Sequence, residues 1–143
     1  MMNLREELES KLLSLGGSVA HVNDFAGEQI NSRLISDGLY FNDSNVVVVD
    51  KYGWGLCHNN AIFNWLENKD KLRICTGFAM DSDAWYRHTW CVDEDGVVYE
   101  CTPGKRKFYY GLPLNEEETN LFMHEVLYPH ELEQIESDIS QGR

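Results

Sequence analysis

Basic residues are scarce in this chain: 12 Lys and Arg stand against 24 Asp and Glu, a formal charge of −12. A surface that acidic repels phosphate backbones, so nucleic acid is not an expected partner. The charge reads either as plain solubility or as an attraction for cationic substrates and basic partners. Long apolar runs are missing too. The longest, Val46 to Val49, falls far short of the roughly 20 residues that span a bilayer, so no membrane is expected. The opening Met1-Met2-Asn3-Leu4-Arg5-Glu6-Glu7 has charges where a secretory leader needs apolar residues. A cytoplasmic location is therefore expected, with Cys57, Cys75, Cys91 and Cys101 as reduced thiols rather than a disulfide framework. Cys-x-x-Cys spacing is absent, which argues against a zinc site built from Cys57, His58, Cys91 and Cys101. No metal or organic cofactor is expected. Repeats, linkers and low-complexity tracts are absent as well. The 143 residues, 43% of them apolar, read as a single domain over 1–143 with a usable core.

What is present organises into helices followed by strands. Leu4, Leu8, Leu12 and Leu15 recur at helical spacing, and Gly16-Gly17 stops the run. A second helix is predicted from Asp24 to Ile35, with Ile30, Leu34 and Ile35 as its apolar stripe. Leu39 to Phe41 and Val46 to Val49 read as short extended pieces around an Asn-Asp-Ser turn. A half-buried helix begins near Cys57, with Ala61, Ile62, Trp65 and Leu66 on one face. Four extended segments follow: Leu72 to Met80, Tyr86 to Val92, Val97 to Cys101 and Phe108 to Leu112. Helices from Asn115 to Val126 and from His130 to Ser140 close the chain. The order predicts an α+β fold: a nucleophile helix packed on an antiparallel sheet, with extra N- and C-terminal helices.

A reactive thiol needs a lowered pKa, a base within hydrogen-bond reach and a third group that orients the base. Cys57 sits at a helix start, where unpaired N–H groups and partial positive charge favour a thiolate. Gly53-Trp54-Gly55-Leu56 precedes it and permits a tight approach, with the Cys57 N–H aimed at a developing oxyanion. A buried structural thiol is the competing reading. His88 and Trp90 alternate along one strand and share a face. Glu100 lies on the next strand, and its relation to His88 depends on the intervening loop. A three-residue loop, Glu94-Asp95-Gly96, pairs Asp93 with Val97 and Trp90 with Glu100, which makes His88 a diagonal neighbour of Glu100. A four-residue loop, Asp93 to Gly96, sends Glu100 to the other face.

Around this trio, Trp54 is a candidate for the oxyanion, for covering the cleft, or for packing. Asn59 and Asn60 are candidates for site hydrogen bonds or for stabilising the helix start. Trp90 reads as core or as a wall of the site. In Tyr109-Tyr110-Gly111 a strand runs beside the cleft, with Tyr110 as the tyrosine offered to substrate. Lys105-Arg106-Lys107, a basic cluster, either solvates a loop or steers an anionic group.

The strings Gly55-Leu56-Cys57-His58-Asn59-Asn60-Ala61, His88-Thr89-Trp90 and Gly96-Val97-Val98-Tyr99-Glu100-Cys101-Thr102-Pro103 resemble the transglutaminase-like branch of the papain superfamily. The resemblance spans about 50–112, under half the chain. It implies a papain-like fold and a Cys57, His88, Glu100 triad. The departures are Glu in place of the commoner Asp, and His58 directly after the nucleophile. The activity implied is thiol-dependent acyl transfer or hydrolysis: amide or peptide hydrolysis, deamidation or transamidation. Its substrate would be a peptide, a protein side-chain amide, or a small amide or ester. The alternative is a binding or inhibitory module on the same scaffold that has lost catalysis.

Overall fold

In the computed structural model of the chain, the described residues are 2–22, 27–53 and 56–140. The first helix, α1 (Leu4–Leu15), is the one that the leucine spacing predicts. Asn3 caps it by accepting a hydrogen bond from the Glu6 N–H at 2.9 Å, and Glu6 and Glu7 lie favourably in its first turn. Leu8 and Leu12 are fully buried, each worth roughly 1.5–3 kcal/mol relative to exposure. They share a core with Ile30 and Leu34 of α2 (Gly27–Asp37); the predicted start of this helix at Asp24 lies outside the described residues.

The strands are β1 (Val19–Ala20), β2 (Leu39–Asn42), β3 (Val46–Val48), β4 (Arg73–Asp81), β5 (Ala84–Val92), β6 (Val98–Glu100) and β7 (Phe108–Pro113). A single 3-10 turn at Asp43–Asn45 joins β2 to β3, with the Asn42 side chain capping it. Three further helices complete the α+β fold: α3 (Cys57–Glu67), α4 (Glu116–Val126) and α5 (Pro129–Ser140). Among the described residues, no helix is long and apolar enough to cross a membrane.

The sheet corrects one expectation. It is mixed rather than antiparallel, in the order β2-β7-β4-β5-β6-β3, with β1 added beside β5. β4, β5 and β6 form the predicted meander, but β7 returns to the far edge of β4 instead of continuing beside β6. β3 pairs with β6 in parallel, and β1 pairs with β5 in parallel. Both are short strands arriving from the helical N-terminal half, so their direction is set by the long connections that deliver them, not by a hairpin.

Strand alternation divides the sheet into two faces. Ile74, Phe78, Met80, Trp85, Tyr110 and Leu112 point to one face and meet buried residues of all five helices. Cys75, Ala79, Trp90, Val92, Val98 and Tyr109 point to the other, where Phe41 and Val46 complete a second, smaller core. Gly111 is required there. A Cβ at that position would stand 2.5 Å from the Trp90 ring and 2.9 Å from Cys75 Sγ, so the glycine leaves the space that the indole fills.

The opposite edge of β5 from β4 is only partly covered. β1 lies beside Ala84 and Trp85, and β6 beside Cys91 and Val92. Between those two short strands, no strand among the described residues pairs with the stretch around His88 on that side. The N-terminus of α3 is packed against this gap.

Candidate active site

The hairpin between β5 and β6 takes the three-residue form. Asp93 and Val97 close it, the Asp93 N–H donating to the Val97 carbonyl at 3.2 Å. Gly96 takes a φ of 79°, the left-handed value that the turn needs at its last position. The register pairs Cys91 with Tyr99 and Val92 with Val98; extended by one residue, it sets Trp90 opposite Glu100. His88 and Glu100 therefore share a face, and the His88 Nε2–H donates to both carboxylate oxygens of Glu100, at 2.9 and 2.8 Å.

Glu100 is fully buried and heavily bonded. Besides His88 it accepts from the Tyr109 hydroxyl at 2.9 Å, the Thr102 hydroxyl at 2.9 Å and the Thr102 N–H at 3.3 Å. The Arg106 guanidinium stands 3.5 Å from Oε1 and also donates to the carbonyls of Pro103 and Gly104. Burial by itself would raise the Glu100 pKa. The hydrogen bond and charge of His88, with Arg106 and Tyr109 behind them, outweigh it and hold the carboxyl below its ordinary value. Burial pushes the Tyr109 phenol up, and the neighbouring carboxylate pushes it further, so it stays a donor.

Cys57 opens α3 beside His88, close enough for each to shift the other's pKa. Burial alone would raise the thiol pKa, but hydrogen bonds from His58 and His88 lower it to about 5. For His88, burial opposes the charged form. The thiolate and Glu100 on either side of the ring prevail and raise it to about 9. Between those two values the pair is a thiolate and an imidazolium. Cys57 is also the half-buried cysteine, whereas Cys75, Cys91 and Cys101 are buried. Burial pushes the Cys75 thiol well up, and contact with Cys101 together with burial does the same to Cys91.

The remaining candidates separate. Trp90 is fully buried, so it is core, but its ring also stacks on His88 with centroids 5.9 Å apart and fixes the plane of the imidazole. Asn60 stabilises the helix start: its amide donates to the carbonyls of Gly53 at 3.0 Å and Cys101 at 3.1 Å, tying α3 to the end of β6. Asn59 is not at the site, since its amide reaches Glu131 of α5 at 3.2 Å. Tyr110 is a correction. It lies on the helical face, where its hydroxyl donates to the Leu34 carbonyl at 2.5 Å, and it is not available to a substrate at Cys57. Strand alternation gives the site face to Tyr109 instead. Trp54 lies outside the described residues.

From sequence, four contributors receive no role at His88 or Glu100: Tyr109 and Arg106, whose segments stand out for other reasons, Thr102 and Arg87. Thr102 carries a visible signal, since a threonine two residues after a buried acid can bond back to it. Arg87 carries none. It is half-buried beside Phe78, with its ring-to-guanidinium distance 5.9 Å. Burial lowers its pKa to about 10, against the opposing pull of Cys57 and Glu125.

Among the described residues, no group of three or more His, Cys, Asp or Glu side chains is placed to hold a metal ion. Comparison of the chain with protein-family models, with curated proteins and with solved structures found no match to it.

Proposed function

We propose that this protein is a cysteine acyl-transfer enzyme or hydrolase, papain-like in the transglutaminase-like manner, with Cys57, His88 and Glu100 as its triad. One observation carries this reading: the buried His88 imidazole donates to both oxygens of the Glu100 carboxylate and is coupled electrostatically to the Cys57 thiol at the start of α3. That is the arrangement a nucleophile, base and orienting acid require, whatever the surrounding fold.

In the proposed reaction the Cys57 thiolate attacks the carbonyl carbon of an amide or ester, forming the S–C bond as the carbonyl π pair moves to oxygen. The first N–H groups of α3, which the Leu56 side chain does not cap, are the donors proposed for that oxygen. As the tetrahedral intermediate collapses, the C–N or C–O bond breaks and His88 gives its proton to the leaving group. A thioester remains. Water or an amine then loses a proton to His88 and attacks the thioester, and Cys57 departs as thiolate. Glu100 holds the ring orientation throughout. The mechanism uses reduced thiols, in keeping with a cytoplasmic protein.

The test is a panel of peptide amides, glutamine side-chain amides and small aryl esters, each assayed with the wild type and Cys57→Ala. Turnover in the wild type should be bell-shaped in pH, with limbs near 5 for the thiolate and near 9 for the imidazolium. Cys57→Ala should bring it to background. Retained turnover by the folded variant would refute the assignment.

A further inference from the structure

We propose that His58 is a second catalytic histidine, presenting its Nε2–H to Cys57 Sγ as a fixed donor that a buried pair of threonines holds in that tautomer. The proposal rests on Cys57 being the nucleophile.

The start of α3 packs against β5, and its consecutive residues Cys57 and His58 meet consecutive residues of that strand, which face opposite sides of the sheet. Cys57 turns to His88, and His58 turns to Thr89, the next residue along the strand and hence on the other face. His58 Nδ1 lies 2.6 Å from Thr89 Oγ1, and Thr89 Oγ1 lies 2.8 Å from Thr76 Oγ1. Both threonines are fully buried. Among the described residues, Thr89 is the hydrogen-bond partner of the Thr76 hydroxyl.

The direction of this chain follows from where each proton can go. A buried hydroxyl that donates to nothing is costly, whereas an oxygen lone pair left over costs less. Thr76 therefore donates to Thr89, Thr89 donates to His58 Nδ1, and the ring proton of His58 sits on Nε2. Phe122 of α4 lies edge-on to the His58 ring with centroids 5.5 Å apart, which limits its rotation. The thiol side of the ring is thus a donor that does not have to gain or lose a proton during the reaction.

The two histidines then divide the work. His88 carries the moving proton. His58 stabilises sulfur when it bears charge, both before attack and as the leaving thiolate of the second step, including the interval when His88 has given its proton away. The other charged groups facing this pair are Arg87 on β5 and Glu125 on α4.

The experiment is the pH midpoint of Cys57 alkylation by iodoacetamide in the wild type, His58→Ala, His58→Gln, His88→Ala and His58→Ala/His88→Ala. It is paired with nitrogen NMR of ¹⁵N-histidine protein to read the His58 tautomer. His58→Ala should raise the midpoint by at least about one unit. His58→Gln, which restores a side-chain N–H, should recover most of that shift. His88→Ala alone should leave the midpoint below the free-thiol value of about 8.5, and the double variant should reach it. NMR should show His58 protonated on Nε2 with Nδ1 accepting. A low wild-type midpoint that His58→Ala leaves unchanged, or a His58 protonated on Nδ1, would overturn the proposal while leaving His88 as the base. An ordinary midpoint in the wild type would overturn the nucleophile itself.

Discussion

Replacing His88 by alanine should lower turnover by about 10²–10⁴-fold, the usual worth of a positioned proton carrier. It should also move the alkylation midpoint of Cys57 upward from about 5. The sign follows from the pair. The imidazolium stabilises the thiolate, so its removal makes the thiol harder to ionise and delays thiolate formation to higher pH. The rate at a single pH would be a poor guide. At pH 6, a rise of about two units lowers the thiolate fraction roughly tenfold. Each remaining thiolate becomes roughly six- to tenfold more nucleophilic, because reactivity rises with pKa. The two effects nearly cancel, whereas the midpoint and the turnover do not suffer this cancellation. The alkaline limb near 9 should vanish with His88, since that limb is the loss of its proton.

Glu100→Ala should be the most destabilising change in the site. The carboxylate is fully buried and receives His88, Tyr109, Thr102 and Arg106 together. Truncation leaves the imidazolium with the Cys57 thiolate alone, the Arg106 guanidinium without its counter-charge, and two buried hydroxyls without an acceptor. A loss of about 3–5 kcal/mol is expected, read as a lower urea midpoint. Glu100→Gln separates charge from shape. It keeps the side-chain shape and one acceptor oxygen, enough for either Tyr109 on the Oε1 side or Thr102 on the Oε2 side but not both, and should cost less stability than Ala. With the negative charge gone, the imidazolium is less favoured, so the alkaline limb should move down from about 9 while Cys57 is still alkylated. A Gln variant whose alkaline limb stays in place would mean that Glu100 supports the fold without tuning the base.

Much of this was legible in the residues, and the part that was not has a physical reason. The helices could be read because their signals are local: Leu8 and Leu12 at turn spacing, Asn115 at a helix start, Gly16 at a stop. The His88–Glu100 contact could be read because a three-residue loop ending in Gly96 fixes parity across a hairpin, and parity decides who shares a face. Tyr110 went astray for the converse reason. β7 pairs with β4 and β2, strands far from it in sequence, and no turn fixes that register. Without it, nothing tells Tyr109 from Tyr110. The parallel pairing of β3 with β6 was hidden likewise, since long connections carry no local record of strand direction. Arg106 stood in a visible basic cluster, but only the fold brings it back onto Glu100, six residues away around the Pro103-Gly104 corner. His58 was visible as an oddity beside the nucleophile; its use depends on Thr89 and Thr76, which face it only once α3 is packed against β5.

The most direct measurement is the ultraviolet absorbance of thiolate, titrated in the native wild type and subtracted from the same titration of Cys57→Ala. One thiolate should appear with a midpoint near 5 and persist through neutral pH, with Cys75 and Cys91, whose thiols are pushed well up, silent over that range. A difference spectrum that stays flat until about pH 8.5, the free-thiol value, would contradict an activated Cys57–His88 pair and make Cys57 an ordinary thiol.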